Sequence, residues 1–165
     1  MKRFICFLVL YALISMTAGC SSSGLESNSV FYYCRNSEEY QYFEEDGVIS
    51  AENRDLSGHN NDLRYMVALY LAGPLEEDLI CPFPRSTRLI EATKQDASVL
   101  IELSDLGDSL TDSEFSLAAA CLSKTCMLYT GSSDITIKSG VRIITMNADN
   151  MILLDTVVPE TTEEG

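Results

Sequence analysis

The apolar residues of this 165-residue chain keep three rhythms, and each predicts a different kind of segment. Phe4 to Met16 is an almost unbroken apolar run, short of the ~20 residues a helix needs to cross a bilayer. Ser29 to Cys34 is dense in β-branched and aromatic residues and predicts a strand. Tyr40 to Phe43 and Val48 to Ala51 flank Glu45-Asp46-Gly47, the pattern of a hairpin or tight bend. After Asn60-Asn61-Asp62 the period lengthens. Leu63, Met66, Val67, Tyr70 and Leu71 then form one helical stripe, with Asn and Asp suited to its start and Gly73-Pro74 to its end.

Leu75 to Ser86 shows no period, and Pro82 and Pro84 favour extended backbone before them. Thr87–Thr93 and Val99–Leu103 predict two strands joined at Gln95-Asp96-Ala97, the second apolar enough to be central in a sheet. Thr111-Asp112-Ser113-Glu114 is a capping box. Behind it Phe115, Ala118, Ala119, Leu122, Cys126 and Tyr129 recur at helical spacing, Leu117, Cys121 and Leu128 widen the stripe, and Gly131 closes the helix. Strands follow at Asp134–Lys138, Val141–Thr145 and Met151–Asp155, with turns at Gly140 and Asn147–Asn150. The order predicts the α+β class: a single-domain sandwich over residues 29–158, with two helices packed on one mixed or antiparallel sheet. Residues 159–165 are acidic and polar, a tail expected to fray.

The first residues carry a separate message. Lys2-Arg3, the short apolar run and the small residues Thr17-Ala18-Gly19 are the parts of a secretory signal peptide over residues 1–19. Cys20 follows at once, which an ordinary signal peptide does not require. Thr17-Ala18-Gly19-Cys20 resembles a bacterial lipobox, in which the cysteine thiol receives a diacylglyceryl group and becomes the new N-terminus. Thr17 stands where a larger aliphatic residue is usual. Two acyl chains suffice for stable anchoring, so lipid on Cys20 replaces a membrane-spanning helix in this reading. Ser21-Ser22-Ser23-Gly24 begins a flexible tether, residues 20–28.

Cleavage after Gly19 leaves 146 residues, the size of one domain, with 9 of the 11 basic residues and all 25 acidic ones. A formal charge of −16 repels nucleic acid and anionic headgroups, so no nucleic-acid partner is expected and the lipid must hold the chain at the membrane. Cys34, Cys81, Cys121 and Cys126 remain after Cys20. Export permits disulfides, but no spacing here is a metal or redox motif. Cys121 and Cys126 lie about 140° apart on a helix and do not face each other. Buried thiols are the preferred reading over bridges, and both over metal ligation.

Chemistry is sparse. His59 is the one histidine, in a loop between Gly58 and Asn60, where a turn or cap role is commoner than proton transfer. No Gly-x-Ser-x-Gly elbow or His pair accompanies it. Glu44-Glu45-Asp46 and Glu76-Glu77-Asp78 lack the alternating spacing of a calcium loop. No catalytic residue, metal ligand or cofactor is assigned; Cys20 is the single site residue. The six aromatics between Phe31 and Phe43 fit strands packed under helices better than a sugar platform.

Five segments, in order, resemble the GerMN domain of sporulation and spore-germination proteins. They are Asp46 to Arg54 entering the second strand, Leu69-Tyr70-Leu71-Ala72-Gly73-Pro74, Cys81 to Ile90 with its proline loop, Ile101-Glu102-Leu103-Ser104, and Leu117 to Tyr129 with Thr125 near its usual place, followed by Asp134 to Ser139. They cover about residues 29–140. The family often has Asp-Gly where this chain has Asp96-Ala97, and the strands after Gly140 lie beyond the match. The resemblance implies a non-enzymatic envelope module that binds envelope proteins or cell-wall components, with sporulation as one context. It also implies the extracytoplasmic face of the cell membrane in a Gram-positive-type cell. A small secreted cell-wall hydrolase and a small-ligand-binding lipoprotein are the alternatives from other classes.

Overall fold

A computed structural model describes residues 28–35 and 49–150. The signal peptide, Cys20, the tether, the Tyr40–Phe43 half of the expected hairpin, the strand expected at Met151–Asp155 and the tail lie outside the described residues. Strands β1 (Asn28–Arg35) and β2 (Ile49–Asp55) precede helix α1 (Leu63–Leu71) and a two-residue strand β3 (Leu79–Ile80). Strands β4 (Leu89–Gln95) and β5 (Ser98–Leu103) precede helix α2 (Asp112–Thr130), then β6 (Asp134–Ser139) and β7 (Arg142–Asn147).

The α+β class is as expected, with α1, α2 and a further helical turn at 148–150 among the described residues, where a turn is expected from the sequence. The strands, however, divide between two hydrogen-bonded sheets rather than one. The first has the order β2-β1-β3 and is antiparallel. The second has the order β4-β5-β6-β7 and is mixed, because β5 and β6 run parallel across the crossover that α2 supplies. β3 arises inside the stretch expected to be irregular. Two residues are too few to show a period, and its partner Cys34-Arg35 is far away in sequence.

β1 is covered on both faces, as strict alternation allows. Phe31 and Tyr33 meet Tyr70 of α1, with the Tyr33 and Tyr70 rings stacked 4.8 Å apart. Tyr32 and Cys34 instead meet Lys124 and Cys121 of α2. Of the six aromatics, Phe31 and Tyr33 are therefore core residues, and Tyr40, Tyr42 and Phe43 lie outside the described residues.

α1 forms as its stripe requires: Met66, Val67 and Tyr70 are buried, and Asp62 itself is the cap, accepting from Tyr65 N–H. α2 has its full capping box at Thr111 and Glu114, and Gly131 closes it at φ 66. Both hydrogen bonds that Glu114 accepts from Thr111 hold its carboxyl below the usual range. α2 contacts β1 on one side and β6 and β7 on the other, so residues 118–123 are all buried. A helix enclosed this way reads as apolar or small around its circumference, which accounts for Ala118-Ala119-Ala120. Leu128, expected to widen the buried stripe, is exposed, because it lies beyond this enclosed span. Two tight turns finish the second sheet. Gly140 turns between β6 and β7 at φ 58, and Asp96 turns between β4 and β5 at φ 52. Asp tolerates that conformation, so Ala97 is no obstacle where the resembled family often has glycine.

Candidate functional site

Three features collect several of the polar side chains that the folding buries. The first is a latch on β2. Glu52 and Arg54, two residues apart, point to the same side and are 2% and 6% exposed. The Arg54 guanidinium donates to the Glu52 carboxylate and to the Gly73 carbonyl. Glu52 Oε2 accepts from Leu75 N–H at 2.7 Å and Glu76 N–H at 2.9 Å. Burial alone would push the Glu52 carboxyl up. The hydrogen bonds from Glu76, Arg54 and Leu75, with the Arg54 charge, outweigh it and hold the group below its ordinary value. Arg54 also lies 5.7 Å from the Phe31 ring centroid. The latch thus joins two segments of the family-like pattern, the Asp46–Arg54 segment and the Gly73-Pro74 helix end.

The second feature is Thr125. β3 is so short that the earlier part of β1 has no strand on that edge. Thr125 Oγ1 fills the gap, accepting from Tyr32 N–H at 2.9 Å while its own hydroxyl donates to the Cys121 carbonyl at 3.0 Å. Ser104 plays a comparable part after β5, its Oγ accepting from Arg88 N–H at 3.0 Å. These hydroxyls serve backbone pairing. Thr125→Val keeps the shape and leaves Tyr32 N–H unpaired, so it should lower stability by about 1–3 kcal/mol. Urea melts will show this, with Thr125→Ser close to wild type; an unchanged midpoint for Val would remove the edge-pairing role.

The third is a gathering of thiols and phenols between β1, β3 and α2. Cys34 and Cys121 are buried there and Cys81 is partly so; Cys126, about 140° around α2 from Cys121, is buried apart from them, and all four are free thiols. Burial pushes the Cys126 thiol up and raises Cys81 to about 11. The Tyr70 phenol is likewise raised by burial, and its hydroxyl has no hydrogen-bond partner among the described residues.

His59 stands apart from all three, on the loop before α1. Its ring stacks on Tyr65 at 3.5 Å, its Nδ1 is 3.8 Å from an Asp62 carboxylate oxygen, and its carbonyl accepts from Tyr129 Oη at 2.9 Å. These contacts make it a turn residue that ties the loop to α2. Glu76, Glu77 and Asp78 are exposed, and among the described residues no group of three or more His, Cys, Asp or Glu side chains could hold a metal ion. Glu44-Glu45-Asp46 lies outside the described residues.

The outer face of the second sheet mixes exposed apolar and paired polar side chains. Leu100 and Ile143 are exposed there, Thr136 and Thr145 hydrogen-bond across the β6–β7 pair at 2.9 Å, and Lys138 pairs with Glu102 at 3.0 Å. Val99, Ile101, Ile135 and Ile137, on the other face of the same strands, are buried. Sequence alternation announces this face; the burial of Glu52 and Arg54 it does not, because charged residues are almost never fully buried unless paired.

No family model and no curated relative matches the sequence. Solved structures do match. The first GerMN domain of the sporulation protein GerM from Bacillus subtilis superposes with a TM-score of 0.53 at 12% identity, covering 71% of this chain and 85% of that one. The tandem GerMN domains of the same protein give a TM-score of 0.50 at 16% identity, over 76% of this chain and 43% of that one. The chain has the fold of a GerMN domain.

Proposed function

We propose that this chain is a lipoprotein of the bacterial cell envelope, cut before Cys20 and anchored there by lipid, whose GerMN-like domain binds a partner without catalysing a reaction. The observation that carries the reading is the GerMN fold beginning at Asn28, close behind a lipobox-like cysteine. No helix among the described residues is long and apolar enough to cross a membrane. In this reading the lipid supplies the attachment, on the extracytoplasmic face. Sporulation is the context that the similar solved protein's name supports.

The length of the tether narrows the partner. Residues 21–27 separate Cys20 from the start of β1 at Asn28, and fully extended chain spans at most ~3.6 Å per residue step, so the domain starts within roughly 30 Å of its anchor. A surface held so near the bilayer favours an envelope protein over distant wall polymer, and the outer sheet face is the one it can offer.

A secreted wall hydrolase is the competing class. Zymography of the purified protein on peptidoglycan should give no clearing, while crosslinking in cells should capture a membrane-proximal protein. Reproducible clearing, lost on mutation of a carboxylate, would overturn the non-catalytic reading.

A further inference from the structure

Two of the buried thiols touch. Cys34, near the end of β1, and Cys121, on α2, are 1% and 0% exposed, and their sulfurs lie 3.9 Å apart although the residues are 87 apart in sequence. Cys81 is a neighbour: it follows Ile80 of β3, which is the ladder partner of Cys34. A disulfide requires sulfurs about 2.05 Å apart. The pair must therefore close by about 1.9 Å, a movement for side-chain rotation and a small shift of strand against helix.

We propose that Cys34 and Cys121 form a disulfide that fastens β1 to α2, made by exchange with a small external disulfide such as oxidised glutathione. The Cys34 thiolate attacks one sulfur of the small disulfide, forming a mixed disulfide and releasing one small thiolate. Cys121, its proton lost to solvent, then attacks the Cys34 sulfur. The protein disulfide forms as the second small thiolate leaves. The two protein thiols give up two electrons and two protons, and the small disulfide is reduced to two thiols.

The electrostatics assign the order. The hydrogen bond from the Cys121 thiol favours the thiolate at Cys34, and the same contact, with burial, keeps the proton on Cys121. Cys81 is the more exposed of the three, yet its desolvated thiol stays protonated near neutral pH. Reactivity thus runs against exposure. Because Cys34 is buried, attack requires local opening of the β1 end, and oxidation is slow. The inference rests on the contact and not on the anchor, so it fails or stands separately from the lipoprotein reading.

The test uses the full chain in detergent, equilibrated with oxidised glutathione, quenched in acid, alkylated and mapped by mass spectrometry without reduction. The expected product is a Cys34–Cys121 linked peptide lacking two hydrogens, with Cys81 and Cys126 alkylated. The thermal midpoint should rise by on the order of 10 °C, since the bond ties distant points of the unfolded chain. Cys81→Ser should leave the linkage intact, and Cys34→Ser should abolish it. A Cys34–Cys81 linkage, a glutathione adduct confined to Cys81, or alkylation of Cys34, Cys81, Cys121 and Cys126 alike after prolonged oxidation would each overturn the proposal. Wild type and Cys81→Ser alone decide the matter should Cys34→Ser fail to fold.

Discussion

Arg54→Leu should lower the stability of this domain by about 3–5 kcal/mol, a large fraction of what a single domain has. Leucine fills much of the space but strips the Glu52 carboxylate of its buried counter-charge, and the Gly73 carbonyl loses a donor. The cost comes from the charge left behind, since an unpaired buried ion is far more expensive than a missing attraction. Glu52→Gln should be milder. Its amide oxygen can still accept from Leu75 or Glu76 N–H, and the Arg54 charge that loses its carboxylate keeps the Gly73 carbonyl and the face of Phe31.

The pH dependence gives the same latch a second signature. The folded Glu52 carboxyl titrates below its ordinary 4.5, so its contribution is complete above about that pH and is lost as pH falls through the lower folded value. In Arg54→Leu the hydrogen bond and charge that lower the group are gone while burial still raises it. The acid loss should then begin closer to neutrality. Urea melts between pH 3 and 7 on wild type, Arg54→Leu and Glu52→Gln will read both effects. A loss within about 1 kcal/mol for Arg54→Leu, the scale of an exposed ion pair, would show that the latch is only a surface contact.

That latch also marks where the sequence stops being legible. The helices were readable because their signals are local: the Thr111–Glu114 box, Gly131 after α2, and the Leu63 to Leu71 stripe all act within a few residues. The turns at Asp96 and Gly140 were readable for the same reason. Partition into two sheets is a matter of distant partners, and β3, two residues paired with the end of β1, carries no pattern of its own. Ala51-Glu52-Asn53-Arg54-Asp55 carries no local sign that Glu52 and Arg54 are buried. What it does contain is opposite charges two apart, hence on one side of a strand. Thr125 was noticed only through its place in a family-like helix; the reason for it, an open strand edge, lies 93 residues away at Tyr32. Leu128 shows the reverse case, a residue in phase with the buried stripe but past the part of α2 that the sheets enclose.

The functional reading rests on a residue outside the described structure, and Cys20→Ala has an all-or-none expected effect. In the proposed reading lipid attaches through the sulfur of that cysteine, so alanine removes the acceptor and with it both acyl chains. The charge of −16 expected after cleavage opposes anionic headgroups, and the described helices include none able to span a bilayer. One acyl chain would bind only marginally and two bind stably, so losing both should shift the protein from the membrane fraction to the soluble fraction or leave an uncleaved precursor. Folding should be untouched, since β1 begins at Asn28. The decisive measurement is metabolic labelling with a radiolabelled fatty acid, followed by fractionation, of wild type beside Cys20→Ala. Label and membrane retention in the wild type, both absent from the mature variant, are the predicted result. Label and membrane retention undiminished in Cys20→Ala would contradict the account.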